Sequence, residues 1–215
     1  MKKVFLTMSV IALAFGSCKK AEDKAVTTTT TEKDTVKTET AEAEKPMDSA
    51  AKMKAWMDFA TPGEVHKVLA SDTGKWNCDM TFWEGPDAKP EKSTTQADVK
   101  MVFDGKYQES VYKGTMMGMP FEGKSTVGFN NASGKAFSTF YDNMGTGFMY
   151  VEGTYDAASK TFSFAGETTD PLTKKNVKYR EEYVIVDDNT RKMSMFDTKN
   201  GSEYKSMEIV MTRAK

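Results

Sequence analysis

A period of two begins at Lys75 and persists to the C-terminus. Trp76, Cys78, Met80 and Phe82 alternate with Lys75, Asn77, Asp79 and Thr81. Ala97, Val99, Met101 and Phe103 alternate with polar or mixed neighbours, and Phe162 and Phe164 alternate with Thr161 and Ser163. Tyr179, Tyr183 and Ile185 share a face with Glu181, and Met207, Ile209 and Met211 share one near the end. One buried face and one wet face is the signature of antiparallel strands. Three polar loops punctuate the pattern, opening at Asn130, Asp156 and Asp187, each with a Lys near its exit. Asx side chains start such turns by bonding backbone just downstream. Taken as successive hairpins, these segments predict an all-β, antiparallel up-and-down meander of about nine or ten strands. Such a meander has two edges to protect. Closure into a barrel removes them; an open, strongly bent sheet is the alternative.

Ahead of the strands the period is helical. Ala51 to Phe59 suits a short amphipathic stretch, with Met53, Trp56 and Met57 on one side. Thr61-Pro62-Gly63-Glu64 reads as a helix start, with Thr61 as cap and Pro62 in the first turn. Val65, Val68 and Leu69 share a face, and Gly74 ends the segment. A helix this short needs that stripe packed on something larger.

Further upstream the pattern disappears. Residues 21–51 are rich in Thr, Glu, Lys and Ala, including Thr27 to Thr31. They carry too few large apolar groups to offset the entropy of ordering, and a tether is expected. Before it, Lys2 and Lys3 precede an apolar run from Val4 to Phe15, too short for a membrane-spanning helix, then Gly16, Ser17 and Cys18. This resembles a bacterial lipobox, although Phe15 stands where Leu is usual. The implied organisation is a signal peptide over 1–17, an acylated Cys18 with a linker to 51, and a barrel over 52–215. The resemblance implies a membrane partner, held through N-terminal acyl chains. The implied location is the cell envelope, as an outer-membrane lipoprotein facing the periplasm or exposed at the surface.

Composition narrows the chemistry. In 215 residues, 30 Lys and Arg oppose 31 Asp and Glu. That balance gives no global field for nucleic acid. With Cys18 acylated, Cys78 has no internal disulfide partner and is expected in the core. His66 is the only histidine; a zinc site would need several His or Cys ligands and a His-based triad a nucleophile held beside it, so His66 is expected to be structural or exposed. No cofactor or metal is implied, and no motif nominates catalytic residues.

Several segments together carry a family likeness. Pro62-Gly63-Glu64, His66-Lys67 and Leu69-Ala70 precede Gly74-Lys75-Trp76. GTMMGMPFEG follows at Gly114 to Gly123, then Gly128-Phe129-Asn130-Asn131, DNMGTGFM at Asp142 to Met149, and GTYDAASKTF at Gly153 to Phe162. GETTDPLTKK at Gly166 to Lys175 and Met207-Glu208-Ile209 with Thr212-Arg213 complete the series. From about Met57 to Lys215 the chain resembles the domain of unknown function 1579 family. The resemblance implies a calycin-like, lipocalin-like antiparallel barrel, and no established activity.

Candidate ligand-binding residues come from two features. Met116, Met117 and Met119 lie in a Gly-flanked loop ending at Pro120-Phe121, and Met144 and Met149 flank Gly145-Thr146-Gly147. Flexible thioethers suit an adaptable lid over a pocket; rim packing and a copper(I) site are the other readings. The second feature is polar residues on apolar strand faces: Glu109 with Tyr107 and Val111, Glu181 between Tyr179 and Tyr183, and Tyr141 after Phe137. An inward carboxylate is costly unless paired, and a few polar groups in an apolar cavity make a ligand site. A slip of one residue would instead turn Arg180 and Glu182 inward. The expected function is binding of a small apolar or amphipathic ligand inside the barrel. A structural or interaction lipoprotein with a filled barrel is the alternative. A hydrolase or isomerase using buried acids is the third reading.

Overall fold

The structure is a computed structural model that describes residues 47–215. The leader, Cys18 and most of the linker lie outside the described residues. Two helices, α1 (Ser49–Ala60) and α2 (Glu64–Ala70), precede ten strands. These are β1 (Gly74–Phe82), β2 (Glu91–Val102), β3 (Tyr107–Met116), β4 (Met119–Asn130), β5 (Lys135–Asp142), β6 (Met149–Asp156), β7 (Thr161–Thr169), β8 (Asn176–Asp187), β9 (Thr190–Lys199) and β10 (Ser202–Arg213). Each strand pairs antiparallel with the next, and β1 also pairs with β10, closing the barrel. Closure satisfies both edges at once, so the meander needs no edge protection. The open-sheet alternative is excluded.

The hairpins form where the Asx residues stand. Asn130 Oδ1 accepts from the backbone N–H of Ala132, Asp156 Oδ1 from that of Ala158, and Asp187 Oδ1 from that of Asn189. Asp142 and Asp170 do the same at two other loops, toward Met144 and Leu172. The two tightest turns work differently. Met117-Gly118 and Asn200-Gly201 are two-residue loops with φ of 50° and 75°, and 54° and 81°. Positive φ at both central positions matches the twist of the flanking strands.

The helices depart from the expected capping. Thr61 ends α1 rather than starting α2, its hydroxyl donating to the Met57 carbonyl at 2.7 Å. Gly63 is the N-cap of α2, and His66 Nδ1 accepts from the Gly63 N–H at 3.0 Å. This local bond, with Phe129 packed edge-on at 6.0 Å, accounts for the burial of the only histidine. α1 buries none of its residues; Asn131 ties its end down by donating to the Asp58, Phe59 and Thr61 carbonyls.

The apolar faces converge as two clusters on opposite sides of the interior. Trp76, Cys78, Met80, Ala97, Val99, Ile209 and Met211 form one on β1, β2 and β10. Leu69, Ala136, Val151, Phe162, Phe164 and Tyr179 form the other on α2 and β5 to β8. Cys78 is in the first cluster and is a free thiol; burial pushes it up to about 11, so it stays a thiol at neutral pH. The outer wall is laced with cross-strand pairs such as Lys100–Glu109, Lys113–Glu122 and Lys178–Glu167. Being exposed, each contributes at most about 1 kcal/mol. They mark this wall as water-facing.

One end of the barrel is sealed. α2 and the Ser71-Asp72-Thr73 loop lead directly into β1 at that end. The Trp76 indole N–H donates to the Asp72 carbonyl at 2.7 Å. The guanidinium carbons of Arg213 and Arg191 lie 4.3 Å and 5.0 Å from the centre of the Trp76 ring. Arg213 also donates to the Ser71 and Thr73 carbonyls. The buried Asp72–Arg191 pair is the centre of this seal, with Nε to Oδ1 at 2.6 Å. Losing one partner of such a pair strands a buried charge, which costs about 3–5 kcal/mol.

Candidate functional site

The two core clusters do not fill the barrel. Between them lies a cavity of about 330 Å³, bounded below by Leu69 and Asp72 and above by the hairpin ends of the opposite rim. Its floor is polar but fully engaged. Asp72 Oδ1 accepts from Arg191, and Oδ2 accepts from the Tyr183 hydroxyl at 2.9 Å and the Gln108 amide at 3.1 Å. Gln108 also donates to the Leu69 carbonyl at 2.8 Å, joining α2 to β3. The remaining guanidinium N–H groups reach the Asp187 and Thr190 carbonyls and the Ser71 hydroxyl. Burial and the neighbouring Asp72 hold the Tyr183 hydroxyl well above its usual value, so it serves as a donor.

Two walls face each other above this floor. β3 and β8 stand five positions apart in a ring of ten strands, hence across the interior. On the β3 side Ser110, Tyr112 and Ser125 line the cavity. Burial pushes Tyr112 up to about 12, against hydrogen bonds with the Ser125 and Ser110 hydroxyls. On β8, Tyr179 and Glu181 line it above Tyr183. Methionines from β1, β3, β6, β9 and β10 and phenylalanines from β1, β4, β5 and β7 make up most of the rest.

Glu181 is the anomaly. Its carboxylate has no hydrogen-bond donor or ion-pair partner among the described residues. Its register neighbours, Phe164 on β7 and Met195 on β9, are apolar. Burial alone pushes it up to about 7 from 4.5. It is partly exposed and lines the cavity. Beside it, the Tyr179 hydroxyl is buried with no partner, and Tyr179 is 4% exposed. Gly166 lets β6 approach closely, since a Cβ there would lie 2.5 Å from the Tyr150 carbonyl oxygen. Burial, Glu181 and Asp197 all raise Tyr179 further. An unsatisfied buried hydroxyl and an unpaired carboxyl each cost free energy. Two such groups adjacent on one wall are a place for a ligand's polar group.

The sequence-derived residues divide between inside and outside. Met116, Phe121, Met149 and Glu181 line the cavity. Met117, Met119, Tyr141 and Glu109 do not. Met117 occupies the positive-φ turn and is 78% exposed. Met119 sits opposite Met116 at the lip, about half exposed. Tyr141 points outward and stacks on Phe148, with ring centres 6.4 Å apart. Glu109 also faces outward, 3.4 Å from Lys100. The phase of β3 and β5 explains both misplacements. Gln108, Ser110 and Tyr112, and Ala136, Ser138 and Phe140, take the inner positions. Their outer neighbours Tyr107 and Phe137 form an aromatic row with Tyr150. That row lies over Gly128, where a Cβ would come within 2.5 Å of the Phe137 ring. Large rings therefore stand on both faces of these strands, and period-two reasoning took the outer face of each for the inner one.

Sequence reasoning missed Asp72, Arg191, Gln108 and Tyr112. Neither Asp72 nor Arg191 stands in an apolar alternation. Arg191 lies at the start of β9, in register with Met211, a pairing that only the folded barrel shows. Among the described residues, no group of three or more His, Cys, Asp and Glu converges to hold a metal.

The raised Glu181 carboxyl makes stability depend on pH. The unfolded side chain ionises near 4.5, whereas the folded one keeps its proton to about 7. Between those values the folded state binds more protons, so Glu181 lowers stability as pH rises, by about 3 kcal/mol for a shift of this size. Glu181→Gln keeps the shape and removes the charge. Urea unfolding is expected to show the variant about 1–3 kcal/mol more stable than the parent at pH 8, with the gap closing at pH 4. His66, held below its usual value mainly by burial, is common to both proteins and cancels. An equal gap at the two pH values contradicts the assignment.

The geometry has relatives among solved structures. The crystal structure of Rv2717c from M. tuberculosis superposes with a TM-score of 0.54 at 15% identity, covering 72% of this chain and 100% of that one. A redesigned beta barrel, b11L5F_LGL, aligns with a TM-score of 0.36 at 15% identity, over 70% of this chain and 95% of that one. At these identities the first likeness shows a shared fold, and the second carries no argument. No curated protein sequence matches the chain. The family described as "Protein of unknown function (DUF1579)" matches residues 61–213, essentially the whole barrel with α2, and the chain belongs to that family.

Proposed function

We propose that this protein is a carrier or sensor that holds a small, largely apolar molecule inside its barrel. The observation that carries the reading is the cavity of about 330 Å³, sealed at the α2 end and walled by thioethers and aromatic rings. Small barrels are commonly filled by their own side chains; this one keeps space of the size small-molecule sites use. Entry is at the opposite rim, where Met144, Phe148 and Leu172 are exposed on the β5–β6 and β7–β8 loops. Flexible apolar side chains there suit an adaptable mouth. We further infer that Cys18 is acylated and that the barrel works at the surface of an envelope membrane. Among the described residues no helix is long and apolar enough to cross a membrane, so that reading rests on the leader alone.

A second reading is favoured by one observation. A carboxyl near neutrality suits general acid-base catalysis, and Glu181 is such a group. Its facing neighbours, Tyr179 and Tyr183, supply no activated nucleophile, which favours binding over turnover.

N-phenyl-1-naphthylamine, an uncharged apolar fluorophore, tests the carrier reading. The full chain is expected to raise its emission with one site of micromolar affinity. Ser138→Trp, filling the cavity from β5, should abolish the signal while keeping a cooperative thermal transition. If that variant fails to fold, competition by decanol against the parent provides the same readout. No binding by the parent, or unchanged binding in a folded Ser138→Trp protein, contradicts the reading. For the anchor, Cys18→Ser is expected to move the protein from the membrane fraction to the soluble one; retention at parental levels sinks the lipid assignment.

A further inference from the structure

We propose that the ligand is a lipophilic amine: an apolar body bearing one protonated nitrogen, which Glu181 binds as a carboxylate–ammonium pair with the Tyr179 hydroxyl alongside. The proposal deepens the carrier reading and rests on it. Its starting point is the charge inventory of the lining. Asp72, Asp142 and Glu181 line the cavity, and no Lys, Arg or His does. Arg191 is spent on Asp72, to which it is bound at 2.6 Å, and sits at the floor with 1% exposure. An anionic ligand such as a fatty acid would bury its carboxylate with no cation to meet it, beside a second acid. Desolvating an unpaired charge is prohibitive. A cation meets the opposite situation.

The rest of the lining agrees. Tyr179, Tyr183, Phe162 and Phe164 present ring surfaces around Glu181, and ring faces and thioether sulfurs attract an ammonium group when water is excluded. The Tyr179 hydroxyl lacks a partner in the unliganded protein, and its oxygen has lone pairs free to accept an ammonium N–H. The mouth is acidic as well: Asp142 stands at the end of β5, its Oδ1 accepting the Met144 N–H. A molecule with a cationic head and an apolar tail thus finds a negative mouth, an apolar shaft and a carboxyl without a counter-ion.

Binding is coupled to proton release. The empty cavity favours neutral Glu181, and an ammonium group favours the carboxylate, so the proton leaves to solvent as the amine enters. The groups around Glu181 supply no free cation, and Asp197 on β9, in register with Tyr179, adds a further acid on the mouth side. Phe164 and Met195 flank it on β7 and β9. Tyr179, Tyr183 and Tyr112 are held in the phenol form, all raised above their usual value. Asp72 is compensated by Arg191, and Arg180 and Glu182 point outward, engaged with each other and with Glu203. Affinity for an amine therefore rises with pH from 5 to 8, and affinity for an uncharged analogue does not.

Decylamine, decanol and decanoate, each below its micellar concentration, separate the possibilities by displacement of N-phenyl-1-naphthylamine from the full chain. Decylamine is expected to bind about tenfold or more tighter than decanol at pH 8, to lose at least that advantage at pH 5, and to leave decanoate the weakest of the three. Glu181→Gln, checked for an intact cooperative thermal transition, should abolish both the amine preference over decanol and its pH dependence. Decanoate competing as well as decylamine, or an amine preference that survives in Glu181→Gln, overturns the proposal. Decanol binding with no advantage for the amine overturns it and leaves the carrier reading standing; failure of all three to displace the probe overturns both.

Discussion

Asp72 receives three donors at once, Arg191 from β9, Tyr183 from β8 and Gln108 from β3. β8 and β9 are neighbours, and β3 lies across the ring from β8. The carboxylate therefore cross-links the barrel through its interior, at the end where α2 enters β1. A buried ion pair adds little net stability over a well-packed apolar core. It adds direction: Arg191, Tyr183 and Gln108 are satisfied in one arrangement only, so loop, helix and strand ends are fixed together. Trp76, carrying Arg213 and Arg191 against its ring, extends the same lock to β1 and β10.

The seal has a consequence for the space above it. With the floor polar and fully bonded, the Tyr179 hydroxyl and the Glu181 carboxyl on the β8 wall are left without partners among the described residues. A filled core would place an apolar side chain at position 181 or a cation beside it. This barrel places a carboxyl there, across the interior from Ser110, Tyr112 and Ser125. The result is a shaft whose walls are soft, being rich in methionine, and whose one polar feature is localised. Such an interior can adapt to the shape of an apolar molecule while remaining selective about where that molecule carries its charge.

Much of this fold could be read from the alternation of side chains, because strands with one wet face declare themselves. The Asx turns were legible for a local reason: their hydrogen bonds span two or three residues. What could not be read was phase. On β1, β7, β8 and β10 the larger apolar residues do face inward, and Glu181 followed correctly from Tyr179 and Tyr183. On β3 and β5 the outer face holds Tyr107, Phe137 and Tyr141, stacked over Gly128 and against Phe148. Those rings cover a glycine in a neighbouring strand, a contact that no single strand records. Glu109 was misplaced for that reason. Asp72 and Arg191 were overlooked because they meet across 119 residues, and long-range ion pairs leave no periodic trace.

The central claim is that Glu181 faces an apolar, unfilled interior with no counter-charge. Titration of its side-chain carboxyl carbon by NMR, in the unliganded full chain, tests this directly. The account expects a midpoint about 2 units above an ordinary glutamate, near 7. A midpoint near 4.5 would mean that water or a cation reaches the carboxylate freely, and would contradict it.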